Sequence, residues 1–331
     1  MSAHLPRQTH HWLSVAIAAA AMGLLALVVG ASLAASTAAE GSTWRLSYQL
    51  DYSRVPDWVT HRAITLRIRV GSEVSGLSAE TARGPIPTIY DPIAGIVLAT
   101  TDAPTLTLRL TAGSVPADFG AVSTAPLMHN KLWAYSITAD DGYASAYTHL
   151  LAILGRYNYR GSVAVIGTNL GKTVNGVRYL NPEELQALFA AGWGVTNHTY
   201  SHKRFADYPN EAALVADVQL NNRIISDTLG GFQPRIFTSP FTEREFAPVI
   251  QANRATLGLY LVQHLGWRIN LVNPPMFLTP DYFWTTGRDR IEESHYDDAH
   301  QRALEKGGTP LWLTHHVHDE AGENPICNAV E

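Results

Sequence analysis

The chain has 331 residues, 46% of them hydrophobic and 16% charged, with a formal net charge of −5. That length and apolar content can bury a large core and fill two domains, while an acidic balance without basic blocks argues against nucleic acid as a partner. A single cysteine, Cys327, excludes an internal disulfide framework, so the compartment has to be read from targeting signals.

The first element in chain order is the apolar run Leu13–Ala35, which follows Arg7 and meets no acidic residue before Glu40. It is long enough to span a bilayer, and the small residues around Ser32-Leu33-Ala34 and Thr37-Ala38-Ala39 offer cleavage points. Residues 1–40 therefore read as a signal peptide or an uncleaved membrane anchor. The catalytic part is then exported, and is extracellular, associated with the cell wall or held at the outer face of the cytoplasmic membrane.

Residues 41–128 are rich in β patterning. Trp44, Leu46, Tyr48, Leu50 and Tyr52 alternate with polar neighbours, as do Ile64, Leu66, Ile68 and Val70, and again Leu106, Leu108 and Leu110. Period two with Gly and Pro between the runs predicts half-buried antiparallel strands in a small all-β, sandwich-like domain. Its role is packing or spacing, with carbohydrate binding as the alternative.

Residues 129–331 carry the chemistry. The apolar run Leu132–Ile137 ends at Thr138-Ala139-Asp140-Asp141-Gly142, and sixty residues on comes His198-Thr199-Tyr200-Ser201-His202. Asp-Asp-Gly alone is usually a turn, and a His pair alone is usually solvated. Together they supply one carboxylate and two imidazoles, the ligand set of an open catalytic zinc-type site, with a second carboxylate left as a base for a bound water. The i, i+4 spacing of the histidines predicts two rings on one face of a helical turn. Upstream, Asn181-Pro182-Glu183-Glu184 through Gly192 reads as a capped helix, and Trp193–Thr196 as a short strand that Asn197 and His198 follow. The sequon Asn197-His198-Thr199 is a chance match, since a glycan there would bury the ligands.

These segments, with a late Leu313-Thr314-His315, resemble the polysaccharide deacetylases of carbohydrate esterase family 4, the NodB-homology domain. The resemblance implies an α/β fold, a distorted (β/α) barrel, and a metal-dependent hydrolase that removes N-acetyl groups, less readily O-acetyl groups, from a polysaccharide. It implies Asp140 as general base, Asp141, His198 and His202 as ligands of a divalent metal, and His315 as the acid for the leaving amine. The metal is zinc first, with cobalt or nickel as alternatives. Pro240 and Phe241 match the segment that faces substrate and shares the oxyanion. Two other readings stay open: hydrolysis of a different amide at the same metal, and a weak or inactive barrel that binds polysaccharide.

The chain departs from the family pattern in three places. Ala139 replaces a usual Phe, which removes volume and no chemistry. Thr238 in Thr238-Ser239-Pro240-Phe241 stands where an Arg orients the base, and Arg235, Arg244 and Arg288 are the candidate substitutes. The Asp-rich stretch before the last strand has only positional candidates, Asp289, Asp297 and Asp298. In His315-His316 strand alternation lets one ring face the pocket, and the family pattern favours His315. His295 and His300 read as surface residues, His149 and His264 as core or interface histidines.

Overall fold

The computed structural model describes residues 36–40, 42–53, 62–125, 127–131, 133–264, 273, 282–284, 293–306, 309–315 and 317, and divides between Leu132 and Trp133 into two units. The Leu13–Ala35 run, Arg288, Asp289, His316 and Cys327 lie outside the described residues. Among the described residues no helix is long and apolar enough to cross a membrane.

The first unit is built of antiparallel strands: β1 (Ser36–Glu40), β2 (Thr43–Gln49), β3 (Ile64–Arg69), β4 (Val74–Thr81), β5 (Gly84–Ile86), β6 (Thr88–Asp91), β7 (Ile96–Thr101), β8 (Thr105–Ala112) and β9 (Val122–Thr124). They form one sheet in the order β1-β2-β8-β4-β5 and another in the order β6-β7-β3-β9. In the pairing of β2 with β8, Leu46 sits opposite Leu108 and Tyr48 opposite Leu106. In that of β3 with β7, Leu66 faces Ala99 and Ile68 faces Val97. These residues meet in a single core shared by both sheets. Each buried Leu or Ile contributes about 1.5–3 kcal/mol of hydrophobic stabilisation, and a one-residue slip would turn the whole set outward, so the alternation itself pins the register.

The second unit alternates strands and helices. In chain order it runs β10 (Ser136–Ala139), a π turn at Ala146–Leu150 leading into α1 (Leu151–Gly155), β11 (Ser162–Val165), the ribbon β12 (Thr173–Val174) and β13 (Val177–Arg178), α2 (Pro182–Ala190), β14 (Gly194–Asn197) and α3 (Glu211–Thr228). There follow β15 (Ile236–Thr238), α4 (Phe246–Ala252), α5 (Arg254–Leu257), β16 (Leu261–His264), β17 (Tyr282–Trp284), α6 (Glu293–Lys306) and β18 (Leu311–Thr314). Apart from the ribbon, the strands form one parallel sheet in the order β17-β16-β15-β14-β11-β10-β18. Short apolar strands such as Val163-Ala164-Val165 are buried, as parallel strands covered on both faces must be.

That topology sets where the chemistry can be. Asp140 follows β10, His198 follows β14, Ser239 to Phe241 follow β15 and His315 follows β18. All four are carboxyl ends of parallel strands and therefore share one rim, where barrel active sites form.

Helix α2 delivers the chain to β14, and its start carries the Asn cap the sequence suggests, closed into a capping box. The Asn181 side chain accepts from the Glu184 N–H at 2.8 Å, and Glu184 accepts from the Asn181 N–H at 3.0 Å. Leu185 and Leu188 then enter the core on the same helix face. Asn181→Ala should lower unfolding free energy by about 1 kcal/mol, the usual worth of such a cap, read as a shift of the urea midpoint at constant slope.

Candidate metal centre

The two carboxylates are presented by a left-handed turn. Asp141 and Gly142 have φ of 64° and 76°, and the Gly142 N–H donates to the Asp140 carbonyl at 2.8 Å. Asp tolerates this region better than most side chains, which is why Asp-Asp-Gly fits here. The Asp140 N–H donates to the Thr314 carbonyl at 2.7 Å, extending the pairing of β10 with β18 one step beyond the strands.

The two histidines do not lie on a helix. Residues 198–202 form a loop with left-handed φ at Thr199 (62°) and His202 (50°), so the expectation of a helical turn is corrected. Short polar side chains fold the loop: the Thr199 N–H donates to Asn197 Oδ1 at 2.8 Å and the His202 N–H to Thr199 Oγ1 at 3.0 Å. Such side-chain acceptors compete with the helix ladder, and here they win. The result still brings both rings together, with centroids 4.8 Å apart.

Four of the expected residues converge closely. His198 Nε2 lies 3.3 Å from Asp140 Oδ1 and 3.3 Å from Asp141 Oδ1, and His202 Nε2 lies 3.4 Å from Asp141 Oδ1. His315 joins them, its Nε2 3.6 Å from Asp140 Oδ2. Phe241 forms a wall beside them, its ring 4.5 Å from that of His202 and under the Arg204 guanidinium at 4.5 Å. Pro240 is buried behind it and, lacking an N–H, shapes the wall without donating.

The donor set fits a cation on one local observation. His198 Nδ1 is 2.8 Å from the Thr238 carbonyl, which can only accept, so Nδ1 carries the proton. Nε2 then faces two carboxylate oxygens, and in the neutral ring it presents them a lone pair. Both His198 Nε2 and Asp140 Oδ1 are buried without a hydrogen-bond partner. A divalent cation would satisfy these lone pairs, and the ligand atoms of Asp141, His198 and His202 lie within 4.8 Å of one another.

Electrostatics among the protein groups follow the same crowding. Burial pushes Asp140 up to about 6, against the opposing pull of His198, with the Asp141 charge adding to the rise. Asp141 is buried too, yet His198, 3.3 Å away, and the charges of His202 and His315 hold it below the usual carboxylate range. Burial depresses His198 less than the charges of Asp140 and Asp141 raise it, so it ends above the ordinary value. Burial, then the neighbouring His198 charge, takes His202 down to about 4.

Several expectations fail at this rim. Arg235 cannot replace the motif Arg, because it precedes β15 and its guanidinium lies 5.7 Å over the Tyr260 ring. Thr238 itself is fully buried, its hydroxyl 2.7 Å from that of Thr196. Asp297 and Asp298 are exposed on α6, Asp298 beside Arg302 at 3.9 Å, so neither serves the late histidine. His300 is not a surface residue: it is half-buried, its ring 5.1 Å from Trp133 and 6.0 Å from Tyr135.

Sequence reasoning missed the Thr238 carbonyl, which fixes the His198 tautomer; a backbone acceptor leaves no residue-type signal. It also missed Tyr143, buried against Tyr179 with ring centroids 4.7 Å apart and beside Asp141, whose charge adds to burial in lifting its phenol. Gly167, too, carried no signal. Its N–H faces the Thr199 carbonyl at 3.4 Å, and a Cβ there would overlap Asn221 Oδ1 and stand 3.0 Å from Tyr200 Cδ2.

Two expectations follow. His202→Ala should abolish stoichiometric zinc binding, measured by metal analysis after gel filtration, while circular dichroism stays at the wild-type signal. Gly167→Ala should lower stability by about 1–3 kcal/mol in urea unfolding, because the buried Asn221 amide has to move.

Residues 132–260 match the family described as polysaccharide deacetylase. No curated protein matches the chain. Among solved structures, IcaB from Ammonifex degensii is 22% identical with a TM-score of 0.43, covering 51% of this chain and 72% of its own. A family 4 carbohydrate esterase from Streptomyces lividans in complex with acetate is 20% identical with a TM-score of 0.38, covering 55% and 79%. A de-N-acetylase from Aggregatibacter actinomycetemcomitans is 19% identical with a TM-score of 0.39, covering 50% and 74%. It is the polysaccharide deacetylases that this chain resembles over residues 132–260, the family whose motifs its sequence displays.

Proposed function

We propose that this chain is an exported, metal-dependent hydrolase that removes N-acetyl groups, and less readily O-acetyl groups, from a polysaccharide. The observation that carries the reading is His198 Nε2 aimed at two buried carboxylates, with His202 and His315 beside them. In this reading residues 129–331 are a distorted (β/α) barrel, residues 41–128 a sandwich-like accessory domain, and Leu13–Ala35 the signal or anchor.

Asp141, His198 and His202 hold the cation, zinc by preference for a carboxylate and two imidazoles, with cobalt or nickel as substitutes. Bound there, it polarises the acetyl carbonyl and makes water a nucleophile near neutral pH. Asp140 takes the proton from the attacking water. The Phe241 N–H shares the charge that develops on the carbonyl oxygen. His315 gives a proton to the departing sugar nitrogen, so that acetate and a free amine leave. The Phe241 ring and Arg204 bound the substrate on one side.

Thr238 in the place of the motif Arg favours a second reading, a weak or inactive barrel that binds polysaccharide. One experiment separates the two. Acetate released from acetylated chito-oligosaccharides and from acetylated xylan is measured for the zinc-loaded chain and for Asp140→Asn. Enzymatic function predicts release by the wild type and a loss of about a hundredfold or more in Asp140→Asn at unchanged zinc content, since an amide cannot accept the proton. No release by the wild type, with retained oligosaccharide binding, establishes the binding module.

A further inference from the structure

Between the two proposed histidine ligands the chain passes through Tyr200 and Ser201, whose backbone N–H groups point away from the strand ladder. Both donate to a single atom, Oδ2 of Asp217 on α3, at 2.9 Å and 3.2 Å. The Tyr208 hydroxyl donates to the same oxygen at 3.1 Å. With Asn197 taking the Thr199 N–H and Thr199 taking that of His202, each backbone N–H from 199 to 202 ends on a side-chain oxygen. The carbonyls are held from the opposite side, Thr199 by the Gly167 N–H at 3.4 Å and Tyr200 by the Thr168 N–H at 3.0 Å.

We infer that Asp217 is a positioning residue of the metal centre: its carboxylate clamps the loop so that the His202 ring reaches the cation. The loop needs such a clamp because two of its residues, Thr199 and His202, occupy left-handed backbone. Conformations of this kind are costly for residues other than glycine and persist only where surrounding contacts over-determine them. A charged acceptor for two adjacent N–H groups supplies hydrogen bonds stronger than neutral ones. His198 does not depend on this clamp in the same way, because it follows β14 directly and its Nδ1 is fixed by the Thr238 carbonyl. The effect of Asp217 is therefore carried by His202, which it never touches.

The inference rests on the metal reading, and the test keeps the two apart. Zinc affinity is measured by chelator competition, and unfolding of the metal-free chain by urea, for wild type, Asp217→Asn and Asp217→Glu. Asp217→Asn should weaken zinc binding about tenfold to a hundredfold, the range seen when groups supporting a ligand are removed. Asp217→Glu keeps the charge and should recover part of that loss. If Asp217→Asn does not fold, Asp217→Glu alone decides, with weakened zinc binding expected from the displaced carboxylate. Variants that lose stability yet bind zinc with wild-type affinity would show Asp217 to be structural only and overturn the inference. A wild type that binds no zinc overturns the metal centre itself, and the inference with it.

Discussion

Two carboxylates from adjacent residues lie within 3.3 Å of one imidazole nitrogen whose partner nitrogen is already committed to a carbonyl. In a buried site such an arrangement places lone pair against lone pair, and desolvation makes the conflict worse. Either a proton or a cation has to stand between them. The surroundings are organised to keep that conflict in place instead of relaxing it: a left-handed turn at Asp141, a tautomer fixed on His198, and a rim assembled from strand ends. Relaxation would require moving backbone that is tied into the sheet.

Beneath the rim the second unit carries buried polar groups beside its apolar clusters. The hydroxyls of Thr138 and Ser162 meet at 2.9 Å, those of Thr196 and Thr238 at 2.7 Å, and Gln263 reaches Thr138 at 2.9 Å. On the outer side of β14, Asn197 donates to the Val218 carbonyl and to Asn222, while Asn221 donates to the Val165 carbonyl and to Asn197. Buried networks of this kind favour one arrangement where apolar packing would tolerate several. They link α3 to the strand that carries His198. Asn197 is accordingly a structural amide, fully buried and twice donating, and cannot serve as a glycan acceptor.

What could be read in advance follows from which signals are local. Leu46 to Leu50 and Leu106 to Leu110 declare their strands because a half-buried strand repeats every two residues. Asn181 to Glu184 declares a helix start because the capping box is a local reciprocal bond. Asp140, Asp141, His198 and His202 declare a site by their chemistry, but the path between the histidines stayed hidden. A spacing of four fits a helical turn and also a loop folded on Asn197, Thr199 and Asp217, and the choice depends on a residue sixteen positions further on. Thr238 illustrates the other limit. As a residue it reads as a lost Arg; as a backbone carbonyl it holds His198, and side-chain identity says nothing about that.

Asp140 is held in orientation by neighbours other than the side chain at the motif Arg position, Thr238. An Arg beside a base does two things: it favours the ionised form and it restricts the rotation of the carboxylate. Here the two oxygens face different imidazoles, Oδ1 toward His198 at 3.3 Å and Oδ2 toward His315 at 3.6 Å, so rotation is restricted from both sides. The second contact is a product of strand register. Ala139 pairs with Thr314 in the β10–β18 ladder, and the Asp140 N–H continues that ladder to the Thr314 carbonyl at 2.7 Å. Asp140 and His315, each one step beyond the end of its strand, become neighbours because their strands are neighbours. This part of the positioning is carried by the pairing of two adjacent strands, which costs no side-chain entropy when substrate binds.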